Sequence, residues 1–255
     1  MTPARVGAGR AVPPPRAADR GGALPSDTVL ILDDHELVGT SLAAALRGEG
    51  EQASFRAAHS IADVRGAAAV AGAGLLVLDL DLGRDAQGRR VDTIPLTPEL
   101  RAAGWRILVL SGSSNPVRIG ASLHAGAFTW VSKVSPMPML VGAVREARAG
   151  RSLLAPTQRQ LLIERYLEWD RTQRELREKL ATLTHREREV LDLLADGKRA
   201  QAIADTFVVS LPTVRTQVRA VLGKLGVGSQ LEAVALVRAL DGTGTTPDGG
   251  GRGVR

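Results

Sequence analysis

Short apolar runs alternate with helical periodicities through the first 150 residues of the chain. The runs fall at 28–33 (TVLILD), roughly 52–57, 74–79 (GLLVLD), 106–111 (RILVLS) and 127–131 (AFTWV). Runs this short, built from Val, Leu and Ile without polar alternation, predict strands covered on both faces. Between them, apolar residues recur at helical spacing over roughly 36–47, 60–71, 115–125 and 138–149. Repeated strand–helix units predict an α/β domain with a doubly wound, parallel five-stranded sheet, whose ligand site lies beyond the carboxyl ends of the strands. From about residue 156 onward the pattern is helical only. The expected organisation is therefore a disordered tail at 1–26, an α/β domain at 27–150, a helical linker at 151–180, an all-α domain at 181–240 and a second disordered tail at 241–255.

The last third carries the sharpest local signals. Thr184 precedes an apolar-periodic stretch with Glu187 three residues on, the spacing of a capping box, and Gly197 stops that helix. A short helix is expected at 199–206 and a turn at Phe207-Val208-Val209. Ser210 then caps a third helix that tolerates Pro212 in its first turn and ends at Leu225-Gly226-Val227. A fourth helix is expected over 229–239. In the third, Val214, Val218, Val221 and Leu222 share the core face, leaving Thr213, Arg215, Thr216 and Arg219 to project outward. These helices resemble a helix-turn-helix, which implies that the third enters the major groove of double-stranded DNA, where an Arg fork reads guanine. Lys224, near the end of that helix, is expected at a phosphate.

Composition and charge narrow the picture. Aromatics are 3% of the chain against 44% hydrophobic residues, so the cores must be aliphatic. There are no cysteines, which excludes disulfides, thiolate metal sites and cysteine nucleophiles. No apolar run approaches membrane-spanning length and the N-terminal stretch lacks the apolar segment of a secretory signal, so a cytoplasmic protein without membrane contact is expected. The net charge is +6, with acidic residues in slight excess over 27–136 and basic residues in excess over 137–240. That asymmetry suits a polyanionic partner for the second half.

Three predicted strands end in reactive side chains: Asp33-Asp34, Asp79 and Ser111, with Lys133 two residues past the end of the fifth. In a parallel sheet these converge on one edge. Crowded carboxylates repel, and a hard divalent cation such as Mg2+ relieves the repulsion with oxygen ligands. A lysine beside them offers a point charge to a phosphoryl oxygen, and a nearby hydroxyl can sense whether one is present.

At these residues the sequence resembles the receiver domain, flavodoxin-like in fold, of NarL/FixJ-class two-component response regulators. The resemblance rests on Ile31-Leu32-Asp33-Asp34-His35, Leu78-Asp79-Leu80-Asp81-Leu82, Val109-Leu110-Ser111, and Gly126-Ala127 through Lys133 with Pro136. It implies that Asp79 is the phospho-acceptor, forming an acyl phosphate. It also implies that Asp34 and Asp79 ligate Mg2+, with Asp33 acting partly through water and the Asp81 backbone carbonyl completing the set. Ser111 and Trp130 take the switch positions and Lys133 pairs with the phosphate. Residues 183–239 resemble the LuxR/FixJ-type helix-turn-helix over its full length. Together these imply a transcription regulator, not an enzyme, phosphorylated by a sensor histidine kinase and acting as a homodimer on DNA. The chain departs from the pattern at Gly83, usually Pro; at Gly112; in the longer stretch from Asp79 to Ser111; and at Arg215 and Gln217, where the family usually has Lys and His.

Two alternatives compete. Asp79-Leu80-Asp81 also fits the Asp-x-Asp start of haloacid-dehalogenase-type phosphatases, but those need an acidic pair downstream of the lysine, and here the pair lies upstream. A receiver-like module that regulates without phosphorylation is the other; the intact Asp33, Asp34, Asp79, Ser111 and Lys133 set argues against it. In the linker, Leu162, Tyr166, Trp169, Gln173, Leu176, Leu180 and Leu183 recur at alternating spacings of four and three. This stripe suits either a dimer seam or docking on the chain's own domains. By resemblance, the last helix, with Leu231, Val234, Ala235 and Val237, is a second candidate interface.

Overall fold

The computed structural model describes residues 26–241. The expected tails at 1–26 and 241–255 lie outside the described residues, apart from residues 26 and 241. Strands β1 (Thr28–Asp33), β2 (Gln52–Ala57), β3 (Gly74–Asp79), β6 (Trp105–Ser111) and β7 (Thr129–Ser132) form one parallel sheet in the order β2-β1-β3-β6-β7. Every residue of β3 is buried, as are the last five of β1, because helices cover both faces. On one face α1 (Glu36–Gly48) and α5 (Met137–Arg148) close over Val29, Ile31, Val77 and Leu108. On the other, α2 (Ile61–Ala71), α3 (Thr97–Ala102) and α4 (Pro116–Ala125) cover Leu30, Leu76, Leu78 and Ile107. The chain leaves β1 toward β2 on one side while β3 pairs on the other, so a crevice opens between the carboxyl ends of β1 and β3.

The predicted strands and helices lie within two residues of the observed ones, with one omission. The stretch after Asp79, read as a lengthened loop, folds into an antiparallel hairpin of β4 (Asp81–Arg84) and β5 (Arg90–Asp92). A short 3-10 turn at Ile94–Leu96 and the six-residue α3 follow. The hairpin turn is built by Asp85, whose carboxylate accepts from the Gln87 and Arg89 amides at 2.9 and 2.8 Å. Thr93 ties its far end to the end of β3, donating its hydroxyl to the Asp79 carbonyl at 2.6 Å and its amide to the Leu80 carbonyl at 3.2 Å.

Helix α6 (Pro156–Ala181) joins the two halves without a break. Its first half lies on α4: Leu162 and Ile163 pack on the core of the α/β domain, and Tyr166 stacks on His124 with ring centroids 5.4 Å apart. Arg159 donates to the carbonyls of Leu123, Ala127 and Phe128 at the end of α4, at 2.8–3.2 Å. Gly120 makes the approach possible, since a Cβ there would overlap the Leu162 carbonyl. Its second half runs into the helical domain, where Leu176, Leu180 and Leu183 pack with Leu191, Val221 and Leu225. The alternating stripe is thus largely spent on this chain's own two domains, the docking alternative of the sequence reading.

The helical domain comprises α7 (His185–Ala195), α8 (Ala200–Phe207), α9 (Leu211–Leu225) and α10 (Gln230–Asp241). The capping box forms as expected: Thr184 accepts from the Glu187 amide, and Glu187 accepts from the Thr184 amide at 2.7 Å. Ser210 caps α9, and Gly226 closes it in a left-handed conformation.

Candidate phospho-acceptor site and nucleic-acid surface

The parallel register brings three distant side chains together. Lys133 Nζ donates to Asp79 Oδ2 at 2.6 Å and to Asp33 Oδ1 at 2.9 Å, spanning 54 and 100 residues of sequence. Both carboxylates are buried. Burial pushes the Asp79 carboxyl up to about 7, with Asp33 adding to the shift and Lys133 offsetting part of it. Burial works against the Lys133 charge, but Asp79 and Asp33 outweigh it and hold the ammonium above its ordinary value. The lysine is therefore a fixed positive charge beside Asp79 Oδ2.

The donor set suits a hard cation. Asp33, Asp34, His35 and Asp79 each offer an atom within 4.8 Å of the others. Asp33 Oδ1 is occupied by Lys133 and by the His35 amide at 2.7 Å, whereas the buried Oδ2 has no partner, and a buried carboxylate oxygen is costly to leave unpaired. Asp34 lies half-exposed with His35 Nδ1 at 2.5 Å from its Oδ1. Asp81 turns its carboxylate away to Arg90 at 3.0 Å, while its amide donates to Asp79 Oδ1 at 3.2 Å. Gly83, at φ +80°, sits so near Asp34 that a Cβ would approach Oδ2 to 3.3 Å; the departure from proline at this position accompanies the hairpin.

Ser111 is buried at the end of β6, its hydroxyl donating to the Ser113 carbonyl at 3.2 Å and accepting from the Ser113 amide at 3.1 Å. Trp130 lies half-buried on the α4 side of the sheet, with its indole N–H buried and unpartnered. A pocket of about 480 Å3 is lined by Asp34, Asp79, Ser111 and Lys133 but also by Arg84, Arg90 and Arg118, and not by Trp130. Thr93 and the arginines were missed in the sequence. Arg84 and Arg90 lie in the arginine-rich stretch after Asp79, read as a loop, whereas Arg118 sits in the first turn of α4 with no signal of its own.

On α9, Thr213, Arg215, Thr216 and Arg219 are all exposed, while Val214, Val218 and Val221 are buried. Lys224, expected at a phosphate, is exposed and has partners within the chain. Its ammonium donates to Glu187 at 2.6 Å and to the Thr182 carbonyl at 3.1 Å, tying α9 to the capping box of α7. That ammonium, with the Thr184 amide, holds the Glu187 carboxyl below the usual carboxylate range.

A doubly wound domain with an acidic pocket and a lysine at its switch point, joined to an exposed helix-turn-helix, defines the receiver–effector class of regulators. Residues 181–237 match the family described as bacterial regulatory proteins, luxR family. The chain is 30% identical over 223 residues to the DNA-binding transcriptional activator DevR/DosR of Mycobacterium tuberculosis (strain ATCC 25618 / H37Rv), covering 87% of this chain and 98% of that protein. It is 32% identical over 136 residues to the transcriptional regulatory protein DesR of Bacillus subtilis (strain 168), covering 53% of this chain and 61% of that one. Among solved structures it is similar to the response regulator ChrA of a heme-sensing two-component system, at 26% identity and a TM-score of 0.40, covering 86% and 99% of the two chains. The chain belongs to the NarL/FixJ family of two-component response regulators, DNA-binding transcription regulators with a LuxR-type helix-turn-helix.

Proposed function

We propose that phosphorylation of Asp79 controls DNA binding by the helix-turn-helix of this chain. The observation that carries the reading is the buried Asp79–Lys133–Asp33 constellation with its one unpartnered carboxylate oxygen. Ionised Asp79 attacks the phosphorus of a phosphohistidine on a sensor histidine kinase, or of a small acyl phosphate. The new O–P bond forms as the P–N or P–O bond of the donor breaks, and the leaving group departs with its electron pair. Asp33, Asp34, Asp79 and the Asp81 backbone carbonyl would hold Mg2+, which when bound would neutralise charge on the phosphoryl oxygens. Lys133 already stands at the acceptor oxygen and stays to pair with the transferred group. Ser111 gives up its bonds to the Ser113 backbone and turns toward the phosphoryl oxygens, with Trp130 as the neighbouring aromatic of the switch.

The output is DNA recognition by Thr213, Arg215, Thr216 and Arg219 on the exposed face of α9. A homodimer on paired half-sites suits this family. The chain is read as a cytoplasmic regulator rather than a phosphatase, since its acidic pair is on β1, upstream of Lys133. Among the described residues no single helix is long and apolar enough to cross a membrane. Incubation with acetyl phosphate and Mg2+ tests the acceptor: wild type becomes labelled and Asp79→Asn does not. Equal labelling of the variant refutes the assignment.

A further inference from the structure

The β4–β5 hairpin and α4 face each other across the acceptor pocket, and one arginine bridges them. Arg118, in the first turn of α4, is 13% exposed and lines the pocket together with Asp79 and Lys133. Its guanidinium donates to the carbonyl of Leu80, the residue next to the acceptor, at 3.3 Å. It also meets Asp92 at the end of the hairpin, at 3.3 and 3.4 Å. These contacts are long. Guanidinium–carboxylate bonds usually close to about 2.7–2.9 Å, as the neighbouring Arg90–Asp81 pair nearly does at 3.0 Å. The partners also have other ties. Leu80 O accepts from the Thr93 amide at 3.2 Å, and Asp92 Oδ1 accepts from the Ile94 amide at 3.0 Å. Arg118 is a fixed cation at the pocket wall, loosely engaged by groups that do not depend on it.

We propose that Arg118 is a second phosphoryl-binding cation, carried by α4, and that Asp92 is its resting partner. This rests on the reading of Asp79 as phospho-acceptor. A phosphoryl group on Asp79 brings a charge of about −1.5 to −2 and three strong acceptor oxygens into the pocket. Asp92 offers a single charge, outside the pocket lining and 36% exposed. An arginine fork pairs with phosphoryl oxygens as well as with carboxylates, and the more charged, less solvated partner wins. The guanidinium exchanges Asp92 for a phosphoryl oxygen, and α4 follows it toward the pocket. The movement has somewhere to go: the same helix meets the α6 backbone at Gly120, and α6 continues unbroken to Leu176 and Leu180 in the DNA-binding domain. The hairpin insertion thus gives this receiver an electrostatic latch on α4, in addition to Ser111 and Lys133.

The test is a titration of the full chain with beryllium fluoride, a phosphoryl mimic, in the presence of Mg2+, read by tryptophan fluorescence. Arg118→Gln is expected to weaken binding about tenfold, the loss of one charge-assisted contact. Asp92→Asn, which frees the arginine, is expected to tighten it by about threefold, half a tenfold step on the same free-energy scale. In the Arg118→Gln background Asp92→Asn has no further effect, because Asp92 acts through Arg118. Arg118→Lys keeps the charge without the fork, folds in the same space, and binds with intermediate affinity. Wild-type affinity in both Arg118 variants overturns the proposal, as does an equal gain from Asp92→Asn in both backgrounds, which would be simple relief of negative charge. Failure of wild type itself to bind overturns the acceptor reading and this one with it; binding that ignores Arg118 overturns this one alone.

Discussion

The contact between α4 and α6 makes a sign prediction that distinguishes two glycines of the same fold. Gly120 lies in the middle of α4 and Gly142 in the middle of α5. In an open helix interior, glycine to alanine stabilises by about 0.5–1 kcal/mol through reduced chain entropy. Gly142 is such a position, with nothing within 4 Å of an added Cβ. At Gly120 the Cβ would overlap the Leu162 carbonyl oxygen, lie 2.8 Å from its carbon and 3.0 Å from the Tyr166 Cβ. Two of these atoms are backbone, so relief requires α6 to move, against the packing of Leu162 and Ile163 and the three Arg159 bonds. Overpacking of this kind costs about 1–3 kcal/mol. Set against the propensity gain, Gly120→Ala is destabilising by about 0–2 kcal/mol, and the two variants differ by about 1–3 kcal/mol. Urea unfolding followed by the receiver tryptophans, Trp105 and Trp130, measures both against wild type. Equal stabilisation by the two substitutions would show that α6 does not rest on α4 as described.

Two further outcomes follow from the buried charges and from the two kinds of basic residue on α9. Asp79 titrates near 7 in the folded chain against 3.8 as a free side chain, so its protonated form favours folding. That contribution is complete below pH about 4 and is lost as pH rises through 7. Without Mg2+, Asp79→Asn therefore matches wild type near pH 4 and exceeds it by about 1–3 kcal/mol above pH 7, a fraction of the full shift because Lys133 loses a partner; a gain constant with pH in thermal unfolding would contradict the raised acidity. Arg215→Ala is expected to leave stability within about 0.5 kcal/mol and cost about 1–3 kcal/mol of DNA affinity at a preferred site. Lys224→Ala should do the reverse, lowering the melting temperature of the helical domain through Glu187 while DNA binding by folded protein changes little. Paired melting and salt-series binding measurements sort the two, and a steep loss of DNA affinity in Lys224→Ala would return that residue to the interface.

What the sequence determined by itself is what depends on near neighbours. The strand ends at Asp33, Asp79 and Ser111 are legible because an unbroken aliphatic run gives way there to a polar side chain, even though that side chain is itself buried. The helices of the DNA-binding domain are legible because caps and periodicity act within four residues, as at Thr184–Glu187 and Ser210. The meeting of Asp33, Asp79 and Lys133 could be anticipated only by assuming a parallel sheet, and it is the register of β1 on β3 that realises it. Tertiary structure alone decided the rest. The hairpin after Asp79 offers a single buried apolar residue per strand, Leu82 and Val91, too short an alternation to read as strands, and it is held by Thr93 bonded to the Asp79 carbonyl and Arg90 paired with Asp81. Lys224 and Arg215 are both basic residues on one helix. Glu187 on α7 ties the first down along the domain surface, while the second faces open solvent. The linker stripe fitted a partner helix as well as it fitted this chain, since an apolar face specifies burial and not by what. Gly120 settled it, because only a position without a Cβ lets the α6 backbone come that close.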